Sequence, residues 1–185
     1  MKAVFISGSP RKNGNTAAIT SEIERGLKDR GFETKYFALH EVNINFCVGC
    51  KSCYVAGECM HSDDVAMIVQ EIFDAELVVV ASPSYWGDVT AQMKAFIDRC
   101  LPYCDTNPKR KLLAKGTKGV AVAVRAGSNK AENENLVSTI EHFLGHLDIP
   151  LVSAFTAERL ETLEDLANNP EILEKAYNFG KKILL

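Results

Sequence analysis

Short β-rich runs alternate with amphipathic helical patterns along nearly the whole chain, and few folds accommodate that alternation. Residues 3–7, 34–39, 77–81, 119–124 and 151–154 read as strands. The runs at 77–81 and 119–124 are apolar without a break, as expected for strands covered on both faces. Residues 16–30 carry Ile19, Ile23 and Leu27 on one helical stripe. Val65, Ile68, Val69 and Ile72 repeat that spacing, as do Met93, Phe96, Ile97 and Cys100, and then Leu136, Ile140, Phe143, Leu144 and Leu147. Ser62 is the expected N-cap of the second of these helices, with Asp63 and Asp64 in its first turn, where the helix dipole favours them. Asn169 and Pro170 are expected to open the last helix as N-cap and first helical residue, after an extra turn marked by Leu160, Leu163 and Leu166. Five strands alternating with five helices predict a three-layer α/β domain, its parallel sheet built from right-handed crossovers. The 185 residues suit one such domain over 1–185, with an elaborated loop at 46–61.

In a sheet of this kind the loops that follow the strands open onto one edge, and ligands bind there. The first four such loops are SPRKNGNT, a cysteine-rich segment, PSYWGDV and RAGSN. The first joins a strand to a helix N-terminus, where free N–H groups and the dipole favour an anion. Gly8 and Gly14 relax its backbone, Ser9, Asn15 and Thr16 add neutral donors, and Arg11 adds charge. Its glycine spacing fits neither a Walker A loop nor the dinucleotide fingerprint, so a terminal monophosphate suits it better. A capped turn with no ligand is the other reading. In the third loop, Pro83, Ser84, Tyr85, Trp86 and Gly87 place two aromatics at the ligand edge, where they either wall a flat heterocycle or pack on the next helix. Ala126, Gly127 and Ser128 form a small-residue loop that permits close approach of a ring.

The charge sum, 21 basic against 24 acidic residues, gives −3 and argues against nucleic-acid or membrane-surface partners. No apolar run approaches the roughly 18 residues of a membrane span, and the apolar start is too short for a signal peptide, so a cytoplasmic location is expected. There, thiols stay reduced, and the cysteines need another purpose. Cys47, Cys50, Cys53 and Cys59 fall within thirteen residues in the pattern C-x2-C-x2-C-x5-C. Close-set steps of this kind resemble 4Fe–4S ligation, whereas structural zinc more often uses two separated knuckles. The spacing favours an iron–sulfur cluster over zinc or redox-active thiols. Cys100 and Cys104 stand apart and read as buried free thiols. His40, His61, His142 and His146 show no usable pattern, and Lys109, Arg110, Lys111, Lys115 and Lys118 read as a solvated basic face that suits an acidic electron carrier.

The GSPRKNGNT and PSYWGDVTAQMKAFIDR segments, with the order of elements, resemble the NADPH-dependent FMN reductase family. FCVGCKSCYVAGECMHSDD narrows the likeness to its iron–sulfur flavoprotein branch. The resemblance implies a flavodoxin-like fold with sheet order 2-1-3-4-5 and FMN at the C-terminal edge. It places the phosphate at Ser9, Arg11, Asn15 and Thr16, and the flavin ring at Pro83 to Gly87 and Ala126 to Ser128. The expected function is that of an FMN-dependent oxidoreductase or electron-transfer protein with a 4Fe–4S cluster on Cys47, Cys50, Cys53 and Cys59. NAD(P)H, ferredoxin or a small-molecule acceptor would be its redox partner, and a homodimer or homotetramer is expected. A cluster-free quinone or nitro-compound reductase, a flavodoxin-like carrier and a thiol sensor are the competing readings.

Overall fold

The structure, a computed structural model, describes residues 1–112 and 114–184. β1 (Lys2–Ser7), β2 (Glu33–Ala38), β3 (Leu77–Pro83), β4 (Lys118–Val124) and β5 (Leu151–Ala157) form one sheet in the order 2-1-3-4-5. Every neighbouring pair in it is parallel, as expected. Strand periodicity then sorts side chains to two cores. Val4, Ile6, Val78, Val80, Ala121 and Ala123 face the layer of α3 (Val65–Phe73), α4 (Ala91–Arg99) and α5 (Lys130–Gly145). Ala3, Phe5, Leu77, Val79, Val120 and Val122 face α1 (Asn15–Lys28) and α7 (Glu171–Lys182). With a core on each side, the middles of the three central strands are apolar on both faces, and polar residues such as Ser7 and Ser82 come only at their ends. No described helix is long and apolar enough to cross a membrane.

Helices α1 and α7 touch through backbone. A Cβ on Gly26 would lie 2.3 Å from the Tyr177 carbonyl oxygen, and one on Gly180 would lie 2.3 Å from that of Ile23. Gly26→Ala is therefore expected to push α7 away and destabilise the fold by about 1–3 kcal/mol. A lower urea midpoint with unchanged slope would show it; an unchanged midpoint would contradict the packing described.

Several helix ends differ from expectation. Helix α3 begins at Val65 behind Asp64, which makes no side-chain capping bond, and Ser62 is not its cap. Asp63 lies before the helix, where its carboxylate accepts from Arg99 and the Asn45 N–H as well as from the Val65 N–H that opens α3. Pro170 precedes α7 with helical dihedrals, and Asn169 donates its side-chain amide to the Asp165 carbonyl rather than capping α7. The extra turn before it is α6 (Leu163–Ala167), closed by a capping box between Thr162 and Asp165. Inside the cysteine segment a five-residue helix, α2 (Ser52–Ala56), was not foreseen. Helix α4 is the element that positions the rest. Its N-cap, Thr90, accepts the Met93 N–H at 3.3 Å and donates its hydroxyl to the Gly8 carbonyl at 2.7 Å, which ties it to the first loop.

Candidate functional site

At the C-terminal edge of the sheet the three non-cysteine loops converge on a cavity of about 280 Å³. Ser9, Arg11, Asn15, Thr16, Pro83, Ser84, Tyr85 and Ala126 line it; Trp86, Gly87, Gly127 and Ser128 lie outside that lining. Helix α1 starts after Gly14, which is extended and offers no side-chain cap, so the first-turn N–H groups stay open to an anion. The Ser9 hydroxyl shapes the turn, accepting the Arg11 N–H at 3.2 Å and donating to the Arg11 carbonyl at 3.1 Å. Asn15 acts first as a strap. Its amide nitrogen donates to the Leu160 and Thr162 carbonyls at 2.9 and 3.0 Å, leaving Oδ1 buried and unpartnered. Arg11 similarly donates to the Glu161 carbonyl at 3.3 Å.

The third loop is a tight two-residue turn. Tyr85 donates its N–H to the Asp88 carbonyl at 2.9 Å and accepts the return bond at 3.1 Å. Trp86 (φ 56°) and Gly87 (φ 77°) between them take the left-handed conformations such a turn requires. Trp86 is fully exposed and Tyr85 half-exposed, so Trp86 does not pack on the following helix. Sequence reasoning missed Arg125, which also lines the cavity. It is buried, its Nη2 pairs with Glu132 at 2.8 Å, and its Nε has no partner. The signal was a charged residue ending the apolar run of β4 at the ligand edge. Leu160 and Glu161 line the same cavity without any motif to announce them.

Cys47, Cys50, Cys53 and Cys59 line a second cavity, of about 340 Å³. Left-handed backbone at Gly49 (φ 66°), Lys51 (φ 58°) and Gly57 (φ 77°) curls the segment round it. Asn107, itself buried, donates to the Cys53 carbonyl at 3.3 Å and pins α2. A hydrogen bond from Ser52 pulls the Cys50 thiol below its ordinary range. Burial, and then the charges of Cys59, Cys50 and Cys47, push Cys53 up. Four cysteines lining one cavity are a ligand set for a metal centre. Tetrahedral zinc needs sulfurs about 3.8 Å apart. Among the described residues the one trio of ligand atoms within 4.8 Å of one another is Cys104, Asp105 and His146, so no three of these four sulfurs meet that spacing.

Arg99 closes the cavity from the C-terminal end of α4. It donates to the Asn45 carbonyl at 2.8 Å and pairs with Asp63, both side chains being 1% exposed. Burial works against both charges, but at Asp63 the hydrogen bonds from Arg99, Asn45 and Val65 together outweigh it. Asp63 is held at about 2, and Arg99 stays charged. The pair's contribution to stability is therefore complete above the ordinary aspartate range and is lost as pH falls toward 2. Arg99 Nε has no partner in the protein although buried. A buried cationic N–H without a partner, on a residue that lines the cysteine cavity, fits an anionic group there.

Cys100 is buried, which raises its thiol, and it does not line the cysteine cavity. Three of the basic residues are paired within the chain, Arg110 with Asp148, Lys111 with Glu58 and Lys115 with Asp74, each at 2.7 Å. His146 has a carboxylate partner after all, in Asp105, 41 residues upstream.

The profile of the NADPH-dependent FMN reductase family matches residues 1–158. An iron–sulfur flavoprotein of Methanocaldococcus jannaschii is 32% identical over 99% of this chain and 95% of its own length. One from Archaeoglobus fulgidus is 40% identical over 71% of this chain, a match spanning 58% of that protein. Among solved structures, an NAD(P)H:quinone oxidoreductase from Methanothermobacter marburgensis superposes with TM-score 0.75 at 14% identity, over 100% of this chain and 96% of its own. An azoreductase from Bacillus anthracis gives 0.74 at 16%, over 98% and 99%. At such identities these structures speak to the fold alone. With the profile and the full-length relative in agreement, the chain belongs to the NADPH-dependent FMN reductase family of FMN-dependent oxidoreductases, in its iron–sulfur flavoprotein branch.

Proposed function

We propose that this oxidoreductase holds FMN in the cavity at the sheet edge and one 4Fe–4S cluster on Cys47, Cys50, Cys53 and Cys59. The observation that carries the reading is the second cavity, which all four cysteines line together with Arg99, whose buried Nε has no partner in the protein. When bound, the flavin supplies two-electron or hydride chemistry and the cluster supplies single-electron steps. The chain binds and positions. The α1 N-terminus with Ser9, Arg11, Asn15 and Thr16 takes the phosphate, while Pro83, Ser84, Tyr85, Trp86 and Gly87 with Ala126, Gly127 and Ser128 border the ring. NAD(P)H, ferredoxin or a small-molecule acceptor serves as redox partner, and residues 1–185 act as one domain.

Replacing Ser9 and Thr16 together by Ala is expected to weaken FMN by about 1–3 kcal/mol, because phosphate oxygens lose their hydroxyl donors. Fluorescence titration of apoprotein with FMN measures it, and unchanged affinity in the double variant would remove the phosphate assignment.

The same reading favours a homodimer or homotetramer. Trp86 and Tyr85 expose aromatic surface at the flavin rim, and Phe46, Val48 and Val55 expose apolar surface on the cysteine segment. A second chain seated on both surfaces would cover them and bring the cysteine segment of one chain to the flavin rim of the other. Sedimentation of FMN-loaded protein at micromolar concentration is expected to show a dimer or larger; a clean monomer would contradict this arrangement.

A further inference from the structure

Outside both cavities, the loop after α4 meets the C-terminal turn of α5. The Asp105 N–H donates to the His146 carbonyl at 2.8 Å and fixes the loop on the helix. Three chemically different donors result. Cys104 Sγ lies 3.3 Å from Asp105 Oδ1, which lies 2.7 Å from His146 Nδ1. Ligand atoms of the three fall within 4.8 Å of one another. We propose that Cys104, Asp105 and His146 form a divalent-metal site suited to Zn²⁺, separate from the cysteine cavity.

The donor set fits that ion. Thiolate, carboxylate and imidazole all ligate zinc at about 2.0–2.3 Å, and small side-chain shifts, the Asp105–His146 pair opening slightly, set the three atoms round a tetrahedral centre. The surroundings supply the orienting contact that metal-bound histidines use. His146 Nε2 lies 3.2 Å from His142 Nε2. With the proton on His146 Nε2 donated to His142, His146 Nδ1 is left bare for the metal. Binding displaces the Cys104 thiol proton to solvent and replaces the Asp105–His146 contact with two metal bonds. Three protein ligands leave a fourth position open. Cys104 and His146 border a cavity of about 800 Å³ between α4 and α5, whose wall also includes Cys47. A water or an oxygen-bearing small molecule entering there would complete the coordination. A plain surface pair between His146 and Asp105, with the Cys104 thiol donating to the carboxylate, is the competing explanation, and zinc affinity that depends on Cys104 separates the two.

The test uses anaerobically prepared protein carrying its FMN and iron, equilibrated with ZnCl2 at micromolar free metal, with zinc and iron counted by mass spectrometry. One zinc per chain is expected. Cys104→Ala and His146→Ala should each lower zinc affinity at least about tenfold, and His142→Ala about 10–100-fold through the lost orienting contact. Cys100→Ala should bind as the parent does. FMN content checks that each variant is folded, and Cys104→Ser is the milder replacement if Cys104→Ala is not. Absence of zinc from the parent, zinc that persists in both Cys104 and His146 variants, or zinc lost only with Cys47→Ser would each overturn the proposal. Iron in the same samples reports on the cluster independently: iron-free parent protein would contradict that reading while the Cys104 and His146 variants still decide this one.

Discussion

Replacing Arg99 by Met is expected to destabilise the protein by about 3–5 kcal/mol, the cost of leaving a buried carboxylate without its counter-charge. Both members of the pair are 1% exposed, so water cannot stand in for the guanidinium. The loss should also strip iron, because Arg99 organises Asn45 and Asp63 on either side of the cysteine segment and presents its Nε to the cavity. Removing Asp63 as well, in Arg99→Met with Asp63→Leu, should recover a large part of the stability, since a buried ion pair exchanged for apolar groups of similar size is often neutral. Iron should not return with it. Urea unfolding and iron analysis of the two variants separate these effects. A single variant within 1 kcal/mol of the parent, or one that keeps its full iron, would show that the pair is not what closes the cavity.

The second large effect is all-or-none. Cys→Ser at 47, 50, 53 or 59 is expected to abolish stable iron binding, whereas the same change at Cys100 or Cys104 should leave iron intact. The cluster relies on deprotonated thiolates at all four corners, and a serine hydroxyl is a poor substitute. Cys53→Ser should be the most severe, because Cys53 is buried on α2 and anchored through Asn107. Full iron retention in Cys50→Ser would count directly against the ligand set.

The sheet was legible in the sequence because its central strands are buried on both sides, which leaves runs such as Leu77 to Ala81 with no polar residue. The ligand edge was legible for a related reason: strand-to-helix loops there carry glycine, hydroxyls and aromatics instead of plain turn residues. What stayed hidden was pairing over distance. Arg99 reads as the polar face of an amphipathic helix, and nothing local connects it to Asp63, 36 residues earlier. Asp63 itself looked like a favourable first-turn acid, and the demand of Arg99 overrode that local preference. His146 lacked a partner within its own helix because Asp105 reaches it from a separate loop. Trp86 was ambiguous between core and surface until its full exposure showed that it does not pack on the following helix.

Iron and acid-labile sulfide, measured per chain on protein purified without oxygen, test the central claim most directly. About four of each per chain, with FMN also retained, is the result this account predicts. A chain that retains FMN but holds a single zinc, or no metal, on Cys47, Cys50, Cys53 and Cys59 would contradict it.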